Sequence, residues 1–464
     1  MTENGNHRAQ AAIKKSPVAD VVAGQRGYFQ TGATRPVARR VELLQSLLRG
    51  LEAREDAILQ ALESDLGKPG VEAWLAEVKF LRDDFKLAIR KLKHWARPQR
   101  VGQPVFLWPA RSWMQPEPFG VVLVIAPWNY PLQLALSPAI AAIAAGNCVT
   151  LKPSEHATAT AALIAEWVAE SCPAGQVSVV CGDKDVGEQL LEQPFDLFFF
   201  TGGSVVGGLV AQAAARQRVP AVLELGGKSP AVVDASADLA AAAERIALGK
   251  FFNAGQTCMA PDFVAVEESV KADFMAHLRT SVESAYGGDA VDLSRMVHRE
   301  QYDRVRRLAG DAAVVIGEDD PGRLHLAPRL IEADWSHPAM QEEVFGPLLP
   351  VVGFADRDEL INKLRAMPEP LALYVFSANA SWREELPQRV RSGSVCFNDV
   401  MKQAMNFALP FGGVGASGYG VYRGEHGFRT FSQARAYMRR YNLPDPFRLA
   451  PPYGNLLEKL RRWL

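Results

Sequence analysis

From Val121 onward the chain alternates short, uncharged apolar runs with amphipathic stretches, and that rhythm admits few folds. Val121-Val122-Leu123-Val124-Ile125, Cys148-Val149-Thr150-Leu151, Val177–Val180, Leu197–Phe200 and Ala221-Val222-Leu223 read as strands. Leu132–Ala145, 158–171, 184–192 and 204–216 read as the helices between them. Strands that are apolar at every position are covered on both faces, so this region is expected to be a doubly wound, parallel α/β domain. A second alternation begins at Pro230: Ala231–Val233, helix 238–251, Phe263–Val266, helix 270–285, then Val314–Ile316, Leu348–Val352 and Leu371–Phe376, ending near Phe397. Pro350 has no N–H to donate, so the run 348–352 is expected to be a strand only at an edge or from Val351 onward. Gly412–Gly427 reads as a glycine-rich loop and 433–442 as a strand.

Ahead of this core, residues 36–66 carry apolar side chains at helical spacing (Val41, Leu44, Leu48, Leu51, Leu62 among them), and 71–96 continue after the break at Lys68-Pro69-Gly70. The segment 100–118 is short, aromatic and interrupted by proline, and reads as a hairpin leaving the main body. With 464 residues, two or three domains are expected. A net charge of -1 offers no basic field for nucleic acid. Five scattered cysteines without CxxC pairs argue for a reducing compartment and against a disulfide scaffold, and eight dispersed histidines provide no metal cluster. Residues 121–151 are uncharged, yet Pro127, Pro131, Pro138, Asn129, Gln133 and Asn147 interrupt the run; a buried strand, loop and helix explain it better than a membrane span. Met1–Asp20 lacks the apolar core of a secretory signal, so the expected location is cytoplasmic.

The chemistry concentrates in two places. In Phe251-Phe252-Asn253-Ala254-Gly255-Gln256-Thr257-Cys258 a cysteine stands among small and polar residues just after a glycine. In Leu223-Glu224-Leu225-Gly226-Gly227-Lys228 a carboxylate sits on an apolar strand end beside two glycines. Each has a plain reading, an inert thiol and a strand-end acid; together they suit a thiolate that forms an acyl-enzyme and a Glu-activated water that releases it. Asn129, between Pro127 and Pro131, is either a loop former or an oxyanion donor. Lys152 and Glu155 follow a strand's carboxyl end and either hold ribose hydroxyls or form a solvated turn. Thr201-Gly202-Gly203-Ser204 opens a helix where a diphosphate could approach backbone N–H groups. Two strings mislead. Gly413-Val414-Gly415-Ala416-Ser417-Gly418 matches GxGxxG but lacks the preceding strand, and Gly227-Lys228-Ser229 lacks the first glycine of a Walker loop, with Val222 in its place.

With these pieces the chain resembles the aldehyde dehydrogenase superfamily, and within it the shorter class 3 branch of fatty and aromatic aldehyde dehydrogenases. The resemblance spans about residues 20–443. It rests on PWNYP at 127–131, KPSE at 152–155, FFTGG at 199–203, LELGGKSP at 223–230, NAGQTC at 253–258, EEVFGP at 342–347 and LPFGG at 409–413, in that order. It implies an α/β fold with a doubly wound dinucleotide-binding domain (20–98 and 117–226) and an α/β catalytic domain (227–398). A small β bridging element that makes class 3 enzymes dimers (99–116 and 430–445) and a tail (446–464) complete it. It also implies roles. Cys258 is the nucleophile, Glu224 the base for the deacylating water, and Asn129 an oxyanion donor together with the Cys258 N–H. Lys152, Ser154 and Glu155 lie toward the adenosine ribose, Gly202, Gly203 and Gly207 along the diphosphate, and Glu343 at the nicotinamide ribose. Trp128, Leu225, Gly226 and Phe345 line the cofactor, and Asn398 supports the floor of the site. Gly203 stands where serine is usual, which removes a side-chain contact to phosphate.

The implied cofactor is NAD, with NADP as the alternative, since Glu155 repels a 2′-phosphate and Lys152 attracts one. No metal is implied. Phe119, Trp128, Tyr130 and Phe252 suggest an apolar pocket for aromatic or medium-to-long aliphatic aldehydes, or else are core packing. In the tail, Leu456, Leu457, Leu460, Trp463 and Leu464 share one helical face and Lys459, Arg461 and Arg462 the other. That favours a helix packed on its own subunit or across a dimer, with a peripheral membrane contact or a lid over a partner's substrate funnel as the other readings. Two alternatives to a redox enzyme stand: a thiol esterase or hydrolase using Cys258 and Glu224, and a structural protein that keeps the fold without activity.

Overall fold

The computed structural model describes residues 17–173, 175–288, 292–444 and 450–463. Most of Met1–Asp20, the start of the tail and Leu464 lie outside them. Three sheets organise the described residues. The six-stranded sheet runs Gly418–Tyr419, Ala221–Leu225, Leu197–Gly202, Val121–Ile125, Cys148–Lys152, Val177–Val179, parallel throughout except for the first. From Val121–Ile125 the chain fills one side with 148–152 and 177–179, then returns to fill the other with 197–202 and 221–225. The order therefore reverses between Val121–Ile125 and Leu197–Gly202, and ligands of open α/β sheets settle in the crevice at such a reversal. The uncharged stretch is strand Val121–Ile125, wholly buried helix Gln133–Ala145 and strand Cys148–Lys152. Among the described residues no helix is long and apolar enough to cross a membrane.

The second sheet orders seven strands as Val314–Val315, Arg329–Glu332, Leu348–Phe354, Phe263–Glu267, Pro230–Val233, Ala372–Phe376, Ser394–Phe397, antiparallel only at the first pair. Pro350 sits inside a full strand, contrary to the expected start at Val351. It pairs with Ile331 on one side, while the ladder on the other side begins only at Val351, so the missing N–H interrupts nothing. A third, three-stranded antiparallel sheet joins Gln99–Arg100, Ala110–Pro118 and Ser432–Arg440, with Trp113 stacked on Tyr437 at 5.3 Å.

Other departures have local causes. The helical stretch 36–66 divides at Arg54 (φ -114°, ψ 15°) into Val37–Ala53 and Glu55–Leu66. Val105-Phe106-Leu107 is a 3-10 turn with Val105 exposed, not a hairpin arm. The expected loop 412–427 holds a strand at Gly418–Tyr419 and a helix at Gly424–Thr430. The tail forms helix Leu456–Trp463, with Leu457 exposed.

Candidate active site

Cys258 is delivered by a turn that ordinary residues avoid. Helix Leu239–Phe251 ends, and Asn253 (φ 53°), Ala254 (φ 54°) and Gly255 (φ 72°) all adopt left-handed backbone. Asparagine tolerates this region and glycine is free in it; Ala254 there is strained. Gly255 has a further constraint, because a Cβ would lie 2.3 Å from the Gly346 carbonyl oxygen. Polar side chains hold the turn. The Asn253 N–H donates to Glu72 at 2.8 Å, and its amide donates to the carbonyls of Asn129 (3.0 Å) and Gln256 (3.1 Å). The Gln256 amide donates to the Arg295 carbonyl and accepts from the Val297 N–H. Thus the conspicuous polar residues before the cysteine are scaffolding, and the cysteine they carry is largely buried, with only part of its surface open.

Asn129 meets this turn directly, its Nδ2 donating to the Gln256 carbonyl at 3.0 Å. Its loop is fixed from below by residues that sequence reading passed over. Lys68 donates to the Asn129 carbonyl (2.9 Å) and to Glu77, both side chains being fully buried. The other Glu77 oxygen accepts the N–H groups of Leu132 (2.9 Å) and Gln133 (3.2 Å) and so caps helix Gln133–Ala145. A π-helical turn at Trp74–Lys79 carries Glu77, the kind of distortion that accompanies functional sites. Tyr130 closes the contact through a 2.6 Å bond to Thr257. Lys68-Pro69-Gly70 carried only the signal of a helix break; a buried lysine opposite a buried glutamate nine residues on is invisible without the fold.

Glu224 lies near the end of strand Ala221–Leu225, 3% exposed, and neither carboxylate oxygen has a hydrogen-bond partner. Gly418 pairs with it in the adjacent strand. The GxGxxG string is therefore a strap pressed on the strand bearing Glu224: a Cβ on Gly418 would stand 1.9 Å from the Leu223 carbonyl. Burial pushes the Glu224 pKa well above the usual carboxylate range, opposed by the Arg423 guanidinium. Burial, then the carboxyls of Glu343 and Glu224, push the Cys258 thiol up to about 12, again opposed by Arg423.

Cys258 opens into a cavity of about 510 Å³ walled by Leu75, Phe80, Tyr130, Leu134, Phe252, Met401 and Phe411, with Gln133 and Arg423 as buried polar members. Two of the four expected pocket aromatics are not in its lining. Phe119 packs against the core, and Trp128 faces Phe345 edge-on at 5.5 Å.

On the other side, the crevice at the sheet reversal gathers most of the expected cofactor residues. Gly202 and Gly203 precede helix Ser204–Gln217, whose N-terminus has no side-chain cap; a Cβ on Gly203 would meet open space, and Val205 beside it is exposed. Lys152 and Glu155 form an ion pair at 2.9 Å. Ser154 turns its hydroxyl to the His156 N–H. A Cβ on Gly207 would strike Leu225 at 2.6 Å, so this glycine has a packing reason of its own. Gly226 makes room for Glu343, whose carboxylate would lie 2.1 Å from a Cβ there. Burial and the Asp262 carboxylate raise Glu343 to about 8. Lys228, of the false Walker string, is committed to Asp262 and to two carbonyls. Asn398 (φ 54°) accepts from the Ser377 N–H and ties neighbouring strand ends. An open helix N-terminus beside two glycines, a lysine–carboxylate pair and a Trp–Phe wall are together a donor set that fits a dinucleotide. Among the described residues no group of three or more His, Cys, Asp or Glu side chains is placed to hold a metal.

Residues 6–437 match the family model described as the aldehyde dehydrogenase family. A 4,4'-diaponeurosporen-aldehyde dehydrogenase of Staphylococcus aureus is 39% identical over 435 residues, covering 92% of this chain and 95% of that protein. The human aldehyde dehydrogenase family 3 member B1 is 39% identical over 429 residues, 91% of this chain and 92% of its own. Among solved structures, Staphylococcus aureus AldH in a substrate-bound state superposes with a TM-score of 0.94 at 36% identity, covering 97% of this chain and all of that one.

Proposed function

The chain belongs to the aldehyde dehydrogenase family and oxidises an aldehyde to its carboxylic acid with NAD(P); within that activity we propose that Cys258 is the nucleophile, Glu224 the base and Asn129 an oxyanion donor. The sulfur of Cys258 adds to the aldehyde carbon and gives a thiohemiacetal, its thiol proton passing to a neighbouring base. The Asn129 amide and the Cys258 N–H face the resulting oxyanion, and each such donor contributes roughly 10²–10³ in rate. When bound, the dinucleotide would supply the hydride acceptor for this carbon. Left behind is a thioester on Cys258. Glu224 takes a proton from a water that attacks this carbon, the thiolate departs, and the acid leaves. Acid–base help of this kind supplies about 10²–10⁴. The observation that carries the assignment is Glu224 itself, a buried carboxylate with no partner, electrostatically coupled to the thiol that opens into the cavity.

For the cofactor we place Gly202, Gly203 and the helix they open at the diphosphate. Lys152 and Glu155 take the adenosine ribose, Glu343 the nicotinamide ribose, and Trp128, Phe345, Leu225 and Gly226 the surrounding wall. Glu155 favours NAD, with NADP accepted through Lys152. The preferred substrates are aromatic or medium-to-long aliphatic aldehydes, supported by the apolar cavity. We propose the division into a dinucleotide domain (20–98, 117–226), a catalytic domain (227–398) and a bridging element, a reading that the presence of three sheets supports. The bridging edge Ser432–Arg440, with Met438 and nearby Leu443 exposed, supports a homodimer. The proposed location is the cytoplasm. The amphipathic helix Leu456–Trp463 serves as a packing element, and a peripheral membrane contact is its second use.

The test is near-ultraviolet absorbance of reduced cofactor when aldehyde and NAD are mixed with the enzyme, over a panel of benzaldehyde-type, cinnamyl-type and aliphatic aldehydes with both dinucleotides. Ester cleavage without that signal would return the chain to a thiol hydrolase, and neither reaction would leave the inactive structural reading.

A further inference from the structure

We propose that Arg423 is the buried positive charge of the substrate cavity, whose other cations, Arg245 and Lys402, are exposed, and that it is a positioning residue favouring the anionic, reactive forms of Cys258 and Glu224. The proposal rests on the roles given above to those two residues.

The chain goes to some length to put a guanidinium here. Arg423 follows the glycine strap and takes φ 82° before Gly424, while the Phe411 and Tyr422 backbones bond to each other and hold the strap's two ends together. Its residue is only 5% exposed, yet it forms part of the wall of the cavity that Cys258 enters. The guanidinium lies 4.0 Å over the Phe411 ring, 4.8 Å over Phe80 and 5.5 Å over Tyr422. One terminal nitrogen donates to the Ala404 carbonyl, and Nε has no partner. Among the described residues no carboxylate lies within ion-pair distance of it. Arginine does not give up its proton in a protein, so this is a permanent buried charge without a dedicated counter-ion. Such a charge is costly unless something else in the site uses it.

Cys258 shares the cavity wall with it, and the groups that feel its charge supply that use. From helix Phe80–Trp95 comes Asp84, bonded to Ser137 at 2.7 Å; from strand Ala221–Leu225 comes Glu224; from the left-handed turn comes Cys258; from its own strap comes the Tyr422 phenol. Cys258 additionally feels the Glu343 carboxyl, which works against ionisation. At Glu224 and at Cys258 the Arg423 charge opposes what burial does. The proposed reaction needs one negative charge at a time in this region, first on sulfur, then on the thiohemiacetal oxygen, then on Glu224. A single fixed cation clamped between aromatic rings suits that sequence, because it favours each anion without binding any of them in a rigid pair.

The test compares Arg423→Met, Arg423→Gln and Arg423→Lys with the wild-type enzyme in the presence of NAD. The rate of Cys258 alkylation by iodoacetamide, an uncharged probe, is measured against pH, together with the pH profile of the burst and of steady turnover. In the neutral variants the alkylation profile is expected to move upward by about one pH unit or more, a roughly tenfold slower reaction at fixed pH. Arg423→Lys is expected to restore most of it, and NAD binding to stay unchanged. Unmoved profiles in a folded neutral variant would overturn the proposal. If the loss fell only on aldehydes bearing a distal carboxylate, compared with alkyl aldehydes of equal length, Arg423 would be a substrate anchor and the proposal would fail in that form. Should Arg423→Met not fold, Arg423→Gln keeps a polar planar end against the rings and gives the same reading. Cys258→Ala separates this outcome from a failed premise: alkylation that persists there belongs to another thiol.

Discussion

Replacing Lys68 by methionine isolates one link between the fold and the chemistry. Lys68 and Glu77 are buried completely, and methionine fills nearly the volume of the lysine stem, so the change is electrostatic more than steric. What is lost is the ammonium donor to Glu77 and to the Asn129 carbonyl; that carbonyl keeps the Asn253 amide. Stranding one member of a buried pair costs about 3–5 kcal/mol. The cost falls on the Asn129–Gln133 turn, because Glu77 holds the N–H groups of Leu132 and Gln133. Hydrogen exchange at those two amides should therefore accelerate roughly 150- to 5000-fold, with distant strands unchanged. Turnover should fall by up to about 10²–10³ as the Asn129 amide loses its aim, with NAD binding intact. Lys68→Met combined with Glu77→Gln removes the stranded charge while keeping an acceptor for Leu132, so amide protection should largely return. The rate should not, since nothing restores the bond to Asn129. Protection within about threefold of wild type in the single variant, with full turnover, would refute the argument.

Cys258→Ala should abolish turnover and leave NAD binding intact by fluorescence titration; full residual activity would exclude this nucleophile. Glu224→Gln should give a burst of reduced cofactor and then stall, whereas a lost burst with normal steady turnover would assign the base elsewhere. Gly418→Ala should lower thermal stability and depress activity further than stability explains, because the strap must lift from the strand bearing Glu224 to clear the Leu223 carbonyl; a variant as active as wild type would show the strap to be passive. For pH, burial raises Asp84 from 3.8 to about 6. A carboxyl raised in the folded state contributes stability that is complete below the unfolded value and lost as pH climbs through the folded one. Asp84→Asn has no such loss, so urea midpoints should show it gaining on wild type between about pH 4 and 6, by up to about 3 kcal/mol, and holding that gain above.

The alternation of apolar strands and helices was legible because it depends on local composition. Helix 158–171 coincides with the observed Thr158–Ser171, and the strands from Val121 to Leu225 fall within two residues of their expected ends. Short strands with mixed polarity were not: Arg329–Glu332 contains Arg and Glu and owes its place to neighbours on the sheet. The residues proposed to react were legible by motif, since Cys258, Glu224 and Asn129 each sit in a short ordered string. Their support was not. Lys68, Glu72, Glu77 and Arg423 are charged residues in ordinary surroundings, and only the folded chain brings Lys68 and Glu77 to the Asn129 loop, Arg423 to the cavity wall and Glu72 to a turn 181 residues away.

The glycine-rich stretch at 412–420 shows why the same letters can mislead and still matter. Read as a phosphate loop it fails, since it lacks the strand before it. Its glycines answer a different demand, close approach of backbone to backbone: Gly413 to the Ser417 carbonyl, Gly418 to the Leu223 carbonyl. In a dinucleotide motif glycine clears space for a ligand; here it clears space for the strand that carries Glu224. The strap's length then sets where Tyr422 and Arg423 arrive. A substitution at one of these glycines should consequently act on the charge around Cys258 through Arg423, and Gly418→Ala should move the pH profile of thiol alkylation in the same direction as Arg423→Met. Opposite or absent movement would mean that the strap positions the strand bearing Glu224 alone.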